Sequence, residues 1–183
     1  MSHIKLLTTG GTIASKRDPV TGLQQTGLIT GEELAEKIDL YDDINISVEE
    51  IIKVSSSAIT FENLITIKDA VLKALSDDDV DGIVLTHGTD TLEETSYFLS
   101  LMIPAGKAVV VTGSQRGPEL IGTDAYANLQ DAITLAADIE AAKIGVSVLF
   151  NSKIFMPRFV KKMSAMNVDG FGGGGTGYLG LVD

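Results

Sequence analysis

Five short apolar runs divide the chain, and most of them end in small or hydroxyl-bearing residues. Within these runs Val, Ile and Leu fill neighbouring positions, so the segments are largely apolar on both faces. This pattern is typical of strands buried between two layers of helices in a parallel sheet. The runs cover residues 4–8, 46–54, 80–86, 108–112 and 146–150.

Amphipathic segments separate the runs and predict helices. One helix begins at Thr30-x-x-Glu33 and another at Thr60, where a threonine can cap the first turn. Thr91-x-x-Glu94 predicts a further capping box at the start of the third helix, and a fourth helix follows the run at 108–112. The helical spacing is clearest in the second helix, at Leu64, Ile67, Val71, Ala74 and Leu75.

The alternation of strands and helices predicts an α/β fold with a doubly wound, mostly parallel sheet and helices on both faces. We therefore expect a single Rossmann/flavodoxin-like domain over residues 1–183. Residues 16–28 are polar and are interrupted by a proline and two glycines, which indicates a mobile lid loop. Residues 170–177 are glycine-rich and predict a flexible segment before a short closing strand at 178–181.

The amino-acid composition excludes several classes of function. The formal net charge of −11, from 25 acidic and 14 basic residues, argues against nucleic-acid binding. No apolar run approaches the roughly 18 residues of a membrane span, and the N-terminus lacks the apolar region of a signal peptide, so we expect a cytoplasmic protein without a membrane partner. The absence of cysteine excludes disulfides and thiolate chemistry. The acidic run at 77–79 lies between a predicted helix and a predicted strand and is interpreted as a solvated turn, not as a site for a divalent cation.

Hydroxyl groups follow four of the predicted strands. Because the carboxyl ends of parallel strands share one edge of a sheet, these groups should converge there. A carboxylate such as Asp90 beside hydroxyls suits an α-amino group, and backbone amides with serine hydroxyls suit a carboxylate. Together they predict an amino acid as ligand. The hydroxyls belong to Thr8, Thr9 and Thr12, to Ser55, Ser56 and Ser57, to Thr86 and Thr89, and to Thr112 and Ser114.

The nucleophile in such a site would be Thr12 or Thr89, activated by a neighbouring base. His87 is adjacent in sequence, although a side chain beside a buried strand end is more often structural. A lysine could also serve if its environment favoured the neutral amine. From the pattern alone Lys162 is no better a candidate than Lys161 or Lys53.

Two long motifs resemble the signatures of the bacterial-type L-asparaginases. They are Thr9-Gly10-Gly11-Thr12-Ile13-Ala14 and His87-Gly88-Thr89-Asp90-Thr91-x-Glu93-Glu94-Thr95. Two shorter patterns agree with the same family, namely Val111-x-Gly113-Ser114-x-Arg116 and Arg158-x-x-x-Lys162. The resemblance extends from Ile4 to about Leu181.

The resemblance implies hydrolysis of L-asparagine to L-aspartate and ammonia, without metal or organic cofactor. By analogy, Thr12 attacks the side-chain amide, and Thr89, Asp90 and Lys162 form the supporting triad. A homo-oligomer, either a dimer or a tetramer, is implied as well. Substrate contacts are expected at Gly11, Ser56, Ser57, Gly88, Thr89, Asp90 and Ser114.

Three departures from the family pattern keep alternatives open. The family's lid tyrosine has no counterpart around 23–26, and the loop at 55–58 lacks the usual glutamine and aspartate. The second family domain is not expected in this chain, which is therefore interpreted as a natural short form or as a fragment. The alternatives are a catalytically weak domain that binds amino acids and an amidase component of a larger amidotransferase assembly.

Overall fold

A computed structural model describes residues 1–22, 24–25 and 27–183. Four helices flank a central sheet: α1 (Gly31–Ala35), α2 (Phe61–Leu75), α3 (Leu92–Met102) and α4 (Ala125–Ala137). The strands in chain order are β1 (Ser2–Gly10), β2 (Lys16–Arg17), β3 (Gln24–Gln25), β4 (Ile44–Val54), β5 (Gly82–Thr86), β6 (Ala108–Thr112), β7 (Val146–Phe150), β8 (Lys153–Phe155), β9 (Lys161–Lys162), β10 (Phe171–Gly172) and β11 (Gly180–Leu181).

The central sheet has seven strands in the order β11-β8-β7-β6-β5-β1-β4. The five strands from β7 to β4 run parallel, and β8 and β11 add antiparallel pairs at one edge. After β1 the chain forms β4, which lies next to β1 on one side, and then β5, which lies next to β1 on the other side. Ligands of open α/β sheets bind where the strand order reverses in this way, beyond the carboxyl ends of the central strands.

Two apolar cores lie on opposite faces of this sheet, as the double-sided strand pattern predicts. Neighbouring residues of one strand point to opposite faces, so Leu6 contributes to one core and Leu7 to the other. Leu34 of α1 and Leu129 of α4 fill the first core. Ile67 of α2 and other residues of α2 and α3 fill the second. The predicted α/β class, with helices on both faces, is confirmed.

Two of the three predicted helix caps are present. The Thr30 hydroxyl accepts the Glu33 N–H at 3.2 Å, and the Glu33 carboxylate accepts the Thr30 N–H at 2.8 Å. Thr60 forms the equivalent box at the start of α2. The box predicted at Thr91 is wrong, because its hydroxyl instead donates to the backbone carbonyl of Ser56 at 2.8 Å.

The segment after residue 151 contains more regular structure than its sequence pattern predicts. β9 and β10 form a two-stranded ribbon, and its Phe171 packs against Phe150 of the second core with ring centroids 4.5 Å apart. The glycine-rich stretch 170–177 includes β10 and a 3-10 turn over Gly174–Thr176. Within residues 16–28, the segment predicted to be a lid, β2 pairs with β3 in a short hairpin, while Leu23 and Thr26 lie outside the described residues.

Within the described ranges, no helix is both long and apolar enough to cross a bilayer. In the same part of the chain, His, Asp and Glu side chains form no group of three that could hold a metal ion.

Candidate functional site

A cleft of 770 Å³ opens at the carboxyl edge of the sheet and collects most of the predicted site residues. β1, β5 and β6 end at this edge, and the β9–β10 ribbon approaches it from the side. The lining includes six predicted site residues and one further serine of the loop after β4: Gly11, Thr12, Ser56, Thr89, Asp90, Lys162 and Ser55.

Two glycines let the first and second motifs approach each other. Gly11 has φ +83°, and a Cβ atom there would lie 2.5 Å from the Gly88 Cα and backbone nitrogen. A Cβ on Gly88 would lie 2.6 Å from the Ser56 Oγ. Because glycine has no Cβ atom at either position, the backbones of the two motifs can lie this close together beside Thr12.

Thr12 lies at the start of a 3-10 turn, Thr12–Ala14, that directly follows Gly11. Ser15 stabilises this turn, since its hydroxyl donates to the Thr12 carbonyl at 2.7 Å. Among the described residues, none forms a hydrogen bond with the Thr12 hydroxyl. The hydroxyl is therefore available to a ligand in the cleft.

Lys162 joins two of the other three predicted catalytic residues, Thr89 and Asp90, in one network. Its amine donates to the Thr89 Oγ1 at 2.8 Å and to the Asp90 Oδ1 at 2.7 Å. Thr89 is buried, the Lys162 side chain is 18% exposed, and the Asp90 side chain is 60% exposed. Asp90 can therefore meet a second cation from the solvent while it keeps Lys162.

The serine loop after β4 is held directly against this network. Ser56 is buried, and its hydroxyl accepts the Asp90 N–H at 3.2 Å. Ser57, the other predicted substrate contact, is exposed outside the cleft lining, and its hydroxyl lies 3.0 Å from the Ser55 hydroxyl. Ser55 lines the cleft in its place, and the sequence offers no signal that distinguishes the two.

Ser114 is fully buried, and its hydroxyl donates to the Arg116 carbonyl at 2.8 Å. The next two residues, Gln115 and Arg116, line the cleft instead. The buried carboxylate of Asp124 accepts both of their backbone N–H groups at 2.9 Å. Sequence reasoning missed Asp124: an aspartate just before a helix predicts a cap of that helix, but Asp124 forms no such cap and binds the Gln115 and Arg116 backbones, for which there is no local signal.

His87 has no free ring nitrogen for catalysis. Its Nδ1 lies 2.8 Å from the Gly88 carbonyl, and its Nε2 lies 3.0 Å from the Thr95 hydroxyl. Burial lowers the pKa of His87 to about 4, so the ring is neutral near pH 7. A neutral Nδ1–H donor and Nε2 acceptor satisfy both contacts, which gives the imidazole a structural part in the turn.

Comparisons with known proteins give consistent family matches. A family model for the asparaginase N-terminal domain matches residues 3–183. L-asparaginase of Bacillus licheniformis is 47% identical over 180 residues, which are 98% of this chain and 56% of the relative. Glutaminase-asparaginase of Pseudomonas aeruginosa is 36% identical over 174 residues, which are 93% of this chain and 48% of the relative.

A solved structure of a related protein has the same fold. The probable cytoplasmic L-asparaginase of Campylobacter jejuni superposes with a TM-score of 0.90 and 36% identity, covering 100% of this chain and 55% of that chain. The chain thus spans about half the length of the curated relatives it matches. Both motifs of the cleft lie inside the matched region, and the chain therefore belongs to the asparaginase family, within its N-terminal domain.

Proposed function

We propose that this domain carries the catalytic residues of an L-asparaginase, which hydrolyses the side-chain amide of L-asparagine to L-aspartate and ammonia. The contact of the Lys162 amine with both Thr89 and Asp90, in the cleft that Thr12 also lines, carries the proposal. Relatives named as L-asparaginases support the same substrate.

Thr12 is the proposed nucleophile. Its Oγ attacks the amide carbon, the carbon–nitrogen bond breaks, and ammonia leaves with the proton of the hydroxyl. Water then hydrolyses the ester on Thr12 and releases aspartate. Backbone N–H groups near Thr12 and Thr89 would stabilise the oxyanion, an effect typically worth about 3 kcal/mol per donor.

Thr89, Asp90 and Lys162 are proposed to move the protons of these steps. The lysine amine lies 2.8 Å from the Thr89 hydroxyl, a distance that allows direct proton exchange between the two. Asp90 orients the amine through its Oδ1, as the acidic member of a catalytic triad does.

The exposed carboxylate of Asp90 is also proposed to hold the substrate ammonium. The hydroxyl of Ser56, which lies beside Asp90, would bind the substrate carboxylate. Contacts of substrate with Gly11, Ser57, Gly88 and Ser114 stay predictions. The names of glutaminase-asparaginases among the relatives suggest glutamine as a second, minor substrate.

A binding domain with weak catalysis is the second candidate. It is favoured by the Thr12 hydroxyl, for which the side chains that the structure describes provide no hydrogen-bond partner and therefore no neighbouring base. In this case the cleft would bind aspartate or asparagine without turning it over. A cytoplasmic location, as named for the probable cytoplasmic L-asparaginase of Campylobacter jejuni, is also proposed and is tested by cell fractionation. A homo-oligomeric assembly stays a prediction, which sedimentation tests.

The test is ammonia release from L-asparagine and from L-glutamine by the full chain. Thr89→Val and Lys162→Met should each lower kcat by about 100-fold or more, the usual range for loss of a proton-transfer group. Lys161→Met is the matched control, since this neighbouring lysine is exposed and outside the cleft lining.

Wild-type turnover in Thr89→Val would remove the triad from the mechanism. A folded sample that hydrolyses neither amide would refute the asparaginase proposal. Calorimetric binding of aspartate without any turnover would support the second candidate instead.

A further inference from the structure

The lysine of the proposed triad sits on an unusually short element. β9 consists of Lys161 and Lys162, which pair with Gly172 and Phe171 of β10. Successive strand residues point to opposite sides, so only one of the two lysines can face Thr89. A shift of one residue would exchange them, and a ribbon of two residue pairs offers little to prevent it.

Glu93 contacts this ribbon at the lysine itself. Its Oε2 accepts the backbone N–H of Lys162 at 2.5 Å. The N–H of the next residue, Met163, turns the other way and donates to the Gly170 carbonyl at 2.7 Å. The Lys162 N–H therefore lies on the edge of the ribbon that faces away from β10, where Glu93 is its partner.

The surroundings of Glu93 favour a strong hydrogen bond. The residue is half-buried in the first turn of α3, where the helix dipole stabilises a negative charge. A bond from an N–H to a charged carboxylate is stronger than one between neutral groups. The Lys162–Asp90 ion pair cannot replace it, because Asp90 is 60% exposed and exposed pairs fix a geometry weakly.

We infer that Glu93 is a positioning residue: by accepting the Lys162 N–H it sets the register of the ribbon and directs Lys162, not Lys161, to Thr89 and Asp90. Its effect on turnover rests on the proposed function, whereas its effect on the lysines does not. Glu94 provides a natural comparison, since it lies in the same helical turn, is exposed, and its side chain forms no hydrogen bond or ion pair with the described residues.

The first experiment measures the two lysines directly. Trace acylation with N-hydroxysuccinimidyl acetate, read by mass spectrometry, compares the labelling rates of Lys161 and Lys162 in the full chain. In the wild type the exposed Lys161 reacts faster than the 18% exposed, ion-paired Lys162. In Glu93→Asp, which keeps the charge but shortens the reach, the ratio of the two rates approaches unity.

Two further variants distinguish the effect of side-chain length at position 93 from the effect of its negative charge. Glu93→Gln keeps an acceptor oxygen at the same distance, although its bond is weaker than that of the charged carboxylate, and its labelling ratio should stay closer to the wild-type value than to that of Glu93→Asp. Glu94→Gln makes the same chemical change one residue away and should match the wild type. A Gln variant at position 93 that behaves like Glu93→Asp would overturn the inference, because reach would then not be the property that matters.

The second experiment follows turnover of asparagine. Glu93→Asp should lower kcat by about 100-fold, the cost of a misplaced catalytic group, with KM near the wild-type value. Wild-type kcat and labelling in this variant, or a loss of kcat with unchanged labelling, would each overturn the positioning role. If the wild type itself shows no turnover, the proposed function fails, and the labelling ratio alone then decides the role of Glu93.

Discussion

His87 is a fully buried imidazole directly before the Gly88-Thr89-Asp90 turn, and the pH dependence of unfolding should report its protonation. Burial holds the pKa of His87 at about 4 in the native state, against an ordinary value of 6.5. Below pH 6.5 the unfolded chain binds a proton that the native chain does not. Stability contributed by the neutral ring must therefore fall as the pH falls.

The expected size follows from the two pKa values. A difference from 6.5 to about 4 corresponds to about 3 kcal/mol of unfolding free energy. This loss begins near pH 6.5, grows by about 1.4 kcal/mol for each pH unit, and is complete near pH 4. His87→Gln removes the titrating group and should therefore remove this part of the pH dependence.

Urea unfolding of the wild type and of His87→Gln at pH 7, 6, 5 and 4 provides the measurement. At pH 7 the variant is less stable, because the contacts of the ring to Gly88 and Thr95 are lost. The gap should narrow by about 3 kcal/mol towards pH 4. Thr95→Val is the matched control, since it removes one partner but keeps the imidazole and hence the wild-type slope.

Parallel curves for the wild type and His87→Gln would refute the reasoning, since the imidazole would then titrate alike in both states. The result also bears on mechanism. A ring that stays neutral down to about pH 4, with both nitrogens engaged, is unsuited to take the proton of Thr12 at neutral pH.

The pattern of apolar residues predicted the five parallel strands and the two-sided core because long periodic segments are decided by burial. The same reasoning missed β8 and the β9–β10 ribbon, whose strands have two or three residues and thus no measurable period. It also failed at Thr91, where a local capping rule competes with a tertiary hydrogen bond to Ser56. That bond joins residues 35 positions apart, beyond the range of any local pattern.

The site residues also include some that the sequence pattern predicts and others that it does not. Thr89 and Asp90 follow a buried strand, so the rule for parallel sheets places them at the ligand-binding edge. Lys162 lies 73 residues beyond Thr89 on the ribbon, and only the motif resemblance indicated it. Among the hydroxyls at this edge, the sequence cannot tell that Ser56 faces Asp90 while Ser114 turns to the Arg116 carbonyl, because the orientation depends on contacts made after folding.

The caps and the glycines allow two further predictions. Thr30→Ala should cost about 1 kcal/mol of unfolding free energy through loss of the α1 capping box, with asparagine turnover unchanged. The control is Thr66→Ala on the exposed face of α2, which should cost less. Equal losses of the two variants in urea unfolding would contradict a capping role for Thr30. Gly11→Ala places a Cβ 2.5 Å from the Gly88 backbone and should displace Gly88 and Thr89, which lowers both stability and turnover. Gly177→Ala, at φ +71° and ψ −149° with nothing within 4 Å, isolates the backbone cost of about 1–3 kcal/mol, since Gly11 has a similar conformation with φ +83° and ψ −177°. A Gly11 variant no less stable than the Gly177 variant would show that the two motifs are not closely packed.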